Sequence, residues 1–391
     1  MLENGALHKG LRDTMCVAMN LASTSRTYYP QLDGLRFIAF LLVFLHNALP
    51  ILSDSPLRIV SEYGWVGVDL FFCLSAGLIA RLLVEEYRST GQISIRYFYI
   101  RRALRIWPLY FFYVLAAIVI MAPIPGRNIN IMGHMAGLFT FTFNFVYFAL
   151  LPSPILILVH LWSISYEEQF YAVVPWVIRI LANASVSAKR IVLIAGLLAG
   201  ATMRAAFIYF ELPHPWIYFL PFTHFESIFG GLIIGLGLLD ALQSKIRGWA
   251  FICFGVLCLC VMSLLPNNDV IGWNLFLTYP LAGLAATAIV FGTLKYGSSM
   301  AATALSSPLL AGLGKISYGL YVFHFGCFSL AALTCINLLH ILSGDLNQYA
   351  WLVLAIAFVY TVLFSILSYF LIEKRFLRLK DRFSKPLSHP L

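Results

Sequence analysis

Residues 64–84 read GWVGVDLFFCLSAGLIARLLV, an apolar run with one acid, Asp69, one hydroxyl, Ser75, and its first basic residue, Arg81, near its end. About 20 apolar residues make a helix long enough for the hydrocarbon core of a bilayer. An acid inside such a run is costly and needs a partner or a function. Working outward, apolar runs of similar reach cover roughly 37–52, 65–84, 106–122, 155–181, 190–210, 217–240, 249–265, 273–294, 316–342 and 350–373. The 391 residues are 61% hydrophobic and 11% charged, with a mean hydropathy of +0.85. Ordinary soluble domains are about half apolar and a quarter charged. The reading is an all-α polytopic membrane protein with about ten transmembrane helices. Residues 1–30 form a short N-terminal segment, 31–373 the transmembrane domain and 374–391 a basic tail.

The net charge of +9 matters through its placement. Lys9, Arg12, Arg26 and Arg36 precede the first run; Arg81, Arg88, Arg96, Arg101, Arg102 and Arg105 follow the second. Lys189, Arg190, Lys245, Arg247, Lys295 and Lys315 mark later turns, and Lys374, Arg375, Arg378, Lys380, Arg382 and Lys385 the tail. The opposite loops hold Arg58 and Arg127. By the positive-inside rule both termini are cytoplasmic, which an even number of crossings satisfies. Basic residues confined to short turns suit a lipid bilayer as partner, not nucleic acid, whose phosphates demand a basic polar face. Residues 135–150, rich in Thr, Asn and Phe, would invert this order if they spanned, so they read as a re-entrant or interfacial segment at the outer face. Most of the seven cysteines fall within apolar runs, as small hydrophobes rather than a disulfide frame or metal site. No cleavable signal peptide and no internal repeat is evident.

Five polar stretches interrupt the apolar background. Arg36 and His46 lie ten residues apart, about 15 Å along a helix, so the arginine sits near the inner face and the histidine in the outer half. Asp69 and Ser75 share the second run. Arg101, Arg102 and Arg105 open the third, with Pro108 just inside; guanidinium forks suit phosphate, and lipid headgroups are the alternative ligand. Glu167 and Glu168 are adjacent carboxylates in an otherwise apolar helix, with Arg36 or Arg204 as possible structural partners. Tyr318, Tyr321 and His324 recur at i, i+3 and i+6, a spacing equally suited to interhelical hydrogen bonds.

These stretches, as LDGLRFIAFLLVFLHN (32–47), GWVGVDLFFCLSAG (64–77), RRALRIWP (101–108), WSISYEEQFY (162–171), ISYGLYVFH (316–324) and SYFLIEKRF (368–376), occur in an order that resembles acyltransferase family 3. The resemblance implies a membrane acyltransferase in a bacterial inner membrane. Its co-substrate would be cytoplasmic acyl-coenzyme A (commonly acetyl-coenzyme A), with no bound cofactor and no metal. The acceptor would be a hydroxyl of a glycan or lipid-linked saccharide. On this resemblance His46 is the catalytic histidine with Glu167 as the family's acid, and Arg36, Arg101, Arg102 and Arg105 bind the donor. Asp33, Asp69, Ser75, Trp162, Glu168, Tyr171 and His324 are supporting candidates. Three departures stand out. Asn47, not His46, occupies the family's histidine position; Ser75-Ala76-Gly77 replaces an S-G-F-like triplet; and Arg375 stands where the closing motif carries proline.

Acyl transfer to a hydroxyl needs a base and stabilisation of the developing oxyanion. Imidazole titrates near neutral pH, so His46 is the expected base, with Glu167 or Asp69 as the acid that orients it. A transporter or flippase using the same buried charges, and a non-catalytic paralogue, are the competing readings.

Overall fold

The computed structural model describes residues 28–48, 55–121, 130–150, 155–295, 300–337 and 349–383, and every regular element among them is helical. Lys9, Arg12, Cys16, Arg26, Arg127 and Lys385 lie outside the described residues.

Each apolar run contains a helix. In chain order these are α1 (Pro30–Asn47), α2 (Val66–Thr90), α3 (Ile95–Met121), α4 (Trp162–Leu181), α5 (Val186–Tyr209), α6 (Glu226–Gly235), α7 (Gly248–Met262), α8 (Leu275–Lys295), α9 (Ser317–Asn337) and α10 (Ala350–Ser368). Among the described residues six helical stretches are long and apolar enough to cross a membrane: α2, α3, α5, α8, α9 and the continuous Ala350–Lys380. The chain is a multi-pass membrane protein. Helix α6 has 10 residues and α7 has 15, and the polar ends of α1 lower its mean hydropathy.

The burial pattern is that of a lipid-solvated bundle. Helix α5 turns Ile191, Ile194 and Leu198 outward, each more than half exposed, while Arg204 on the same helix is 1% exposed. A helix apolar all round needs an apolar solvent. Helix α2 lies at the centre, packed on α1, α6 and α8. Its contact with α6 is backbone to backbone: a Cβ on Gly231 would stand 2.5 Å from the Cys73 carbonyl oxygen. Small residues at such crossings are the usual route to tight helix packing without a hydrophobic driving force.

Three expectations change in detail. The third helix begins at Ile95, so Arg101, Arg102 and Arg105 lie inside it and Pro108 is interior, not near its start. Arginine is a good helix former, and the helix continues through the headgroup level. Residues 135–150 belong to two short helices, Ile131–Phe139 and Phe143–Leu150. They turn at Phe141, which has a φ of 53°. Nine helical residues rise about 14 Å, so neither limb crosses a bilayer. The turn is held on α4, where the Gln169 side chain donates to the Phe141 carbonyl at 2.7 Å. Finally, no break separates 373 from 374: α10 passes through a π-helical turn, Tyr369–Glu373, into the basic helix Lys374–Asp381, and Arg101 fastens that end by donating to the Phe383 carbonyl at 3.0 Å.

Candidate active site

The predicted residues fall into two groups at opposite ends of the bundle, with a buried polar layer between them.

At the arginine end, α1 starts on Pro30, whose missing N–H costs nothing in a first turn. Its opening turns are pressed against the helix Pro308–Lys315, where a Cβ on Gly314 would stand 1.8 Å from the Asp33 carbonyl oxygen. That approach fixes Asp33, which accepts from Tyr28 at 2.8 Å and from Arg36 at 2.7 Å. Arg36 then faces Arg102 and Arg105, three residues apart on one face of α3. The three guanidinium groups line a cavity of about 200 Å³ whose other walls include Ser75, Glu167 and Tyr171, and whose inner end is Ser163 and Tyr321. Arg102 lies over the Tyr171 ring, 5.6 Å from its centre. Tyr171 donates to Glu167 one helical turn back. Among the described residues neither Arg102 nor Arg105 forms an ion pair, and the buried Arg102 Nε has no partner. Three guanidinium groups against Asp33 and Glu167 leave an excess of positive charge at this wall. Arg101 points away, to Glu86 at 3.4 Å.

The middle layer closes the cavity. The Tyr321 hydroxyl meets Ser163 Oγ at 2.5 Å and donates to the His160 carbonyl at 3.0 Å. His160 Nε2 lies 3.0 Å from the Val322 carbonyl, to which it donates. His324 Nδ1 donates to the Tyr321 carbonyl at 2.6 Å, which leaves Nε2 to accept from Asn47 at 3.0 Å. His324 is fully buried and both ring nitrogens are engaged.

At the histidine end, His46 Nδ1 donates to the Ser61 carbonyl at 2.8 Å. That bond fixes the tautomer and leaves Nε2 as a lone pair on a half-buried ring, the form a general base requires. The orienting acceptor is a backbone carbonyl and neither expected acid. Asp69 instead accepts from His224 Nε2 at 2.9 Å and from Ser227; Glu167 meets Tyr171. Asp69 sits a full helix away from His46, on α2 facing α6. Arg204 pairs with Glu226 at 2.5 Å rather than with either glutamate of α4. Glu168, about 100° around the helix from Glu167, accepts from Trp107 Nε1 at 3.3 Å. Trp162 stacks on Phe219 with ring centres 4.4 Å apart.

His160, Ser163 and His224 carry no signal as site residues in the sequence, and Tyr321 reads there only as part of the Tyr318, Tyr321 and His324 stripe. Charges inside apolar runs come in pairs, so the Arg204–Glu226 pair had a signal; His160 had none.

Residues 29–370 match the family model described as an acyltransferase domain. A Staphylococcus aureus protein that carries a provisional O-acetyltransferase name is 28% identical over 372 residues, 89% of this chain and 57% of that protein. The peptidoglycan O-acetyltransferase OatA of Listeria monocytogenes is 26% identical over 329 residues, 78% of this chain and 50% of that one. The chain thus spans about half the length of the curated relatives it matches. No solved structure matches.

Proposed function

Because the chain belongs to the acyltransferase 3 family, we propose that it is a membrane O-acyltransferase that moves an acyl group, acetyl above all, from acyl-coenzyme A to a hydroxyl of a glycan-type acceptor. The observation that carries this reading is the cavity lined by Arg36, Arg102 and Arg105 with Glu167 as its one carboxylate. The guanidinium groups of Arg102 and Arg105, which form no ion pair among the described residues, suit phosphate oxygens. The arginines hold the phosphates of coenzyme A, and Arg101 braces α3 from outside. The pantetheine arm runs along the apolar wall of Phe72, Ile79 and Ile106 towards Ser163 and Tyr321.

The acceptor approaches from the other end. His46 Nε2 takes the hydroxyl proton as the oxygen attacks the thioester carbonyl. The C–O bond forms, the tetrahedral centre collapses, the C–S bond breaks, and coenzyme A leaves as the thiol with that proton. Since Tyr321, His160, His324 and Asn47 lie between the two ends, this layer must part for the thioester to meet His46. In this reading the arginine end is cytoplasmic, both termini are cytoplasmic, the chain crosses the bacterial plasma membrane ten times, and the acceptor is a cell-surface glycan such as peptidoglycan. The support is the basic-residue distribution and the names of the relatives.

The test is coenzyme A binding by the purified chain in nanodiscs. Wild type should bind, and Arg102→Ala/Arg105→Ala should not bind measurably at the same concentration. Equal binding by the two proteins would assign these arginines to lipid headgroups.

A further inference from the structure

Glu168 takes no part in the donor cavity, yet a carboxylate in an apolar helix needs a partner or a function. It lines a second cavity, a groove of about 590 Å³ between α3 and α4, together with Tyr99, Arg102, Trp107 and Phe141. Tyr99 and Trp107 stand about two helical turns apart on α3. The Tyr99 hydroxyl ties α3 to α4 by donating to the Ala172 carbonyl at 2.7 Å. At the other end the turn at Phe141 closes the groove, its ring centre 5.8 Å from that of Trp107. Arg102 and Tyr171 line both cavities, so the guanidinium group stands between the donor cavity and the groove.

The groove opens towards the bilayer. Tyr99, Trp107 and Ala172 are exposed at its mouth, and the neighbouring Phe112 on α3 and Val173 and Trp176 on α4 are exposed apolar side chains. Within the groove, polar groups are only half matched. Trp107 Nε1 donates to Glu168 Oε2 at 3.3 Å, whereas the buried Glu168 Oε1 has no hydrogen-bond partner among the described residues. The same holds for the buried Arg102 Nε, and Glu168 and Arg102 do not pair with each other. Buried polar groups are normally satisfied. A free carboxylate oxygen and a free guanidinium N–H in one groove are completed together by a zwitterion.

We propose that the groove seats the headgroup of a membrane phospholipid that carries a primary ammonium, of the phosphatidylethanolamine class. The ammonium donates to Glu168 Oε1 and lies against the rings of Tyr99 and Trp107, whose faces attract cations. The phosphate accepts from Arg102. The acyl chains leave by the mouth and lie on the exposed apolar side chains beside it. A purely anionic headgroup would satisfy Arg102 and leave Glu168 facing a like charge. A choline headgroup has no N–H to give the carboxylate. The ligand is neither the acyl donor nor its acceptor, so the site stands apart from the acyltransferase reading.

The test is native mass spectrometry of the full chain released from nanodiscs that hold dioleoyl phosphatidylethanolamine, phosphatidylglycerol and phosphatidylcholine in equal amounts. The wild-type chain should retain phosphatidylethanolamine in preference to the other two. E168Q keeps an oxygen for Trp107 but loses the charge, and should weaken that retention about tenfold, the effect of a charge-assisted hydrogen bond. A172W, which fills the mouth, should abolish it. Unchanged retention in either variant, or a wild-type chain that holds phosphatidylglycerol or phosphatidylcholine as tightly, would overturn the proposal. If E168Q weakens coenzyme A binding and leaves lipid retention intact, Glu168 belongs to the donor cavity and the lipid site is refuted.

Discussion

The two ends of the bundle solve opposite electrostatic problems. At the arginine end positive charge exceeds its partners: of the three arginines on the cavity only Arg36 has a carboxylate, Asp33. At the histidine end His46 is held by a carbonyl and not by a charge. An excess of cations is stable only where phosphates, from lipid or ligand, complete it. A ring fixed by a neutral acceptor keeps its second nitrogen as a free base without drawing a counter-ion into the membrane. Under the proposed function the difference separates binding from chemistry: changes at one end should alter affinity, and changes at the other should alter rate.

The largest effect should come from the histidine end. His46→Ala should lower transfer by about 10²–10⁴-fold, the usual contribution of a general base, and radiolabelled transfer should fall to background while coenzyme A affinity is unchanged. Retained transfer would move the base elsewhere in the bundle. Next is the arginine end. Charge-assisted contacts contribute about 1.5–3 kcal/mol each, so Arg102→Ala alone should weaken coenzyme A binding by about tenfold or more. Saturating acyl-coenzyme A should then recover most of kcat. A kcat loss at saturation would blur the division between the ends.

The packing beneath the arginines gives a smaller effect. Gly314→Val forces a side chain onto the Asp33 carbonyl and should cost about 3 kcal/mol of stability, seen as a lower Tm together with weaker donor binding through Arg36. A variant with wild-type Tm would mean that α1 can shift freely. The smallest belongs to the middle layer. Asn47→Ala leaves His324 Nε2 without its donor and should cost about 1–3 kcal/mol, with transfer reduced less than tenfold. If Asn47→Ala is inactive while His46→Ala transfers normally, the roles of the two neighbours are reversed.

What could be read from the sequence follows the same division. The arginines announce themselves because charges in an apolar chain are few and three of them share one short block. The helices follow from run length. The turn at Phe141 was hidden, because nothing in the composition of 135–150 marks a positive φ. The Asn47–His324 bond joins positions 277 residues apart and Asp69–His224 positions 155 apart, and no local pattern encodes such pairs. Asp69 looked like an orienting acid because its own helix offers it no partner.

The central claim is that the arginine-lined cavity receives the acyl donor. Ser75 lies in its wall, so a Ser75→Cys chain, with Cys16 and the exposed Cys253 and Cys260 replaced by alanine, carries a thiol reporter at the site. The measurement is the rate of maleimide labelling at that cysteine with and without coenzyme A. Saturating coenzyme A should protect the thiol, and protection should disappear when Arg102→Ala/Arg105→Ala is added. Labelling at the same rate with and without coenzyme A in the arginine-intact chain would contradict it.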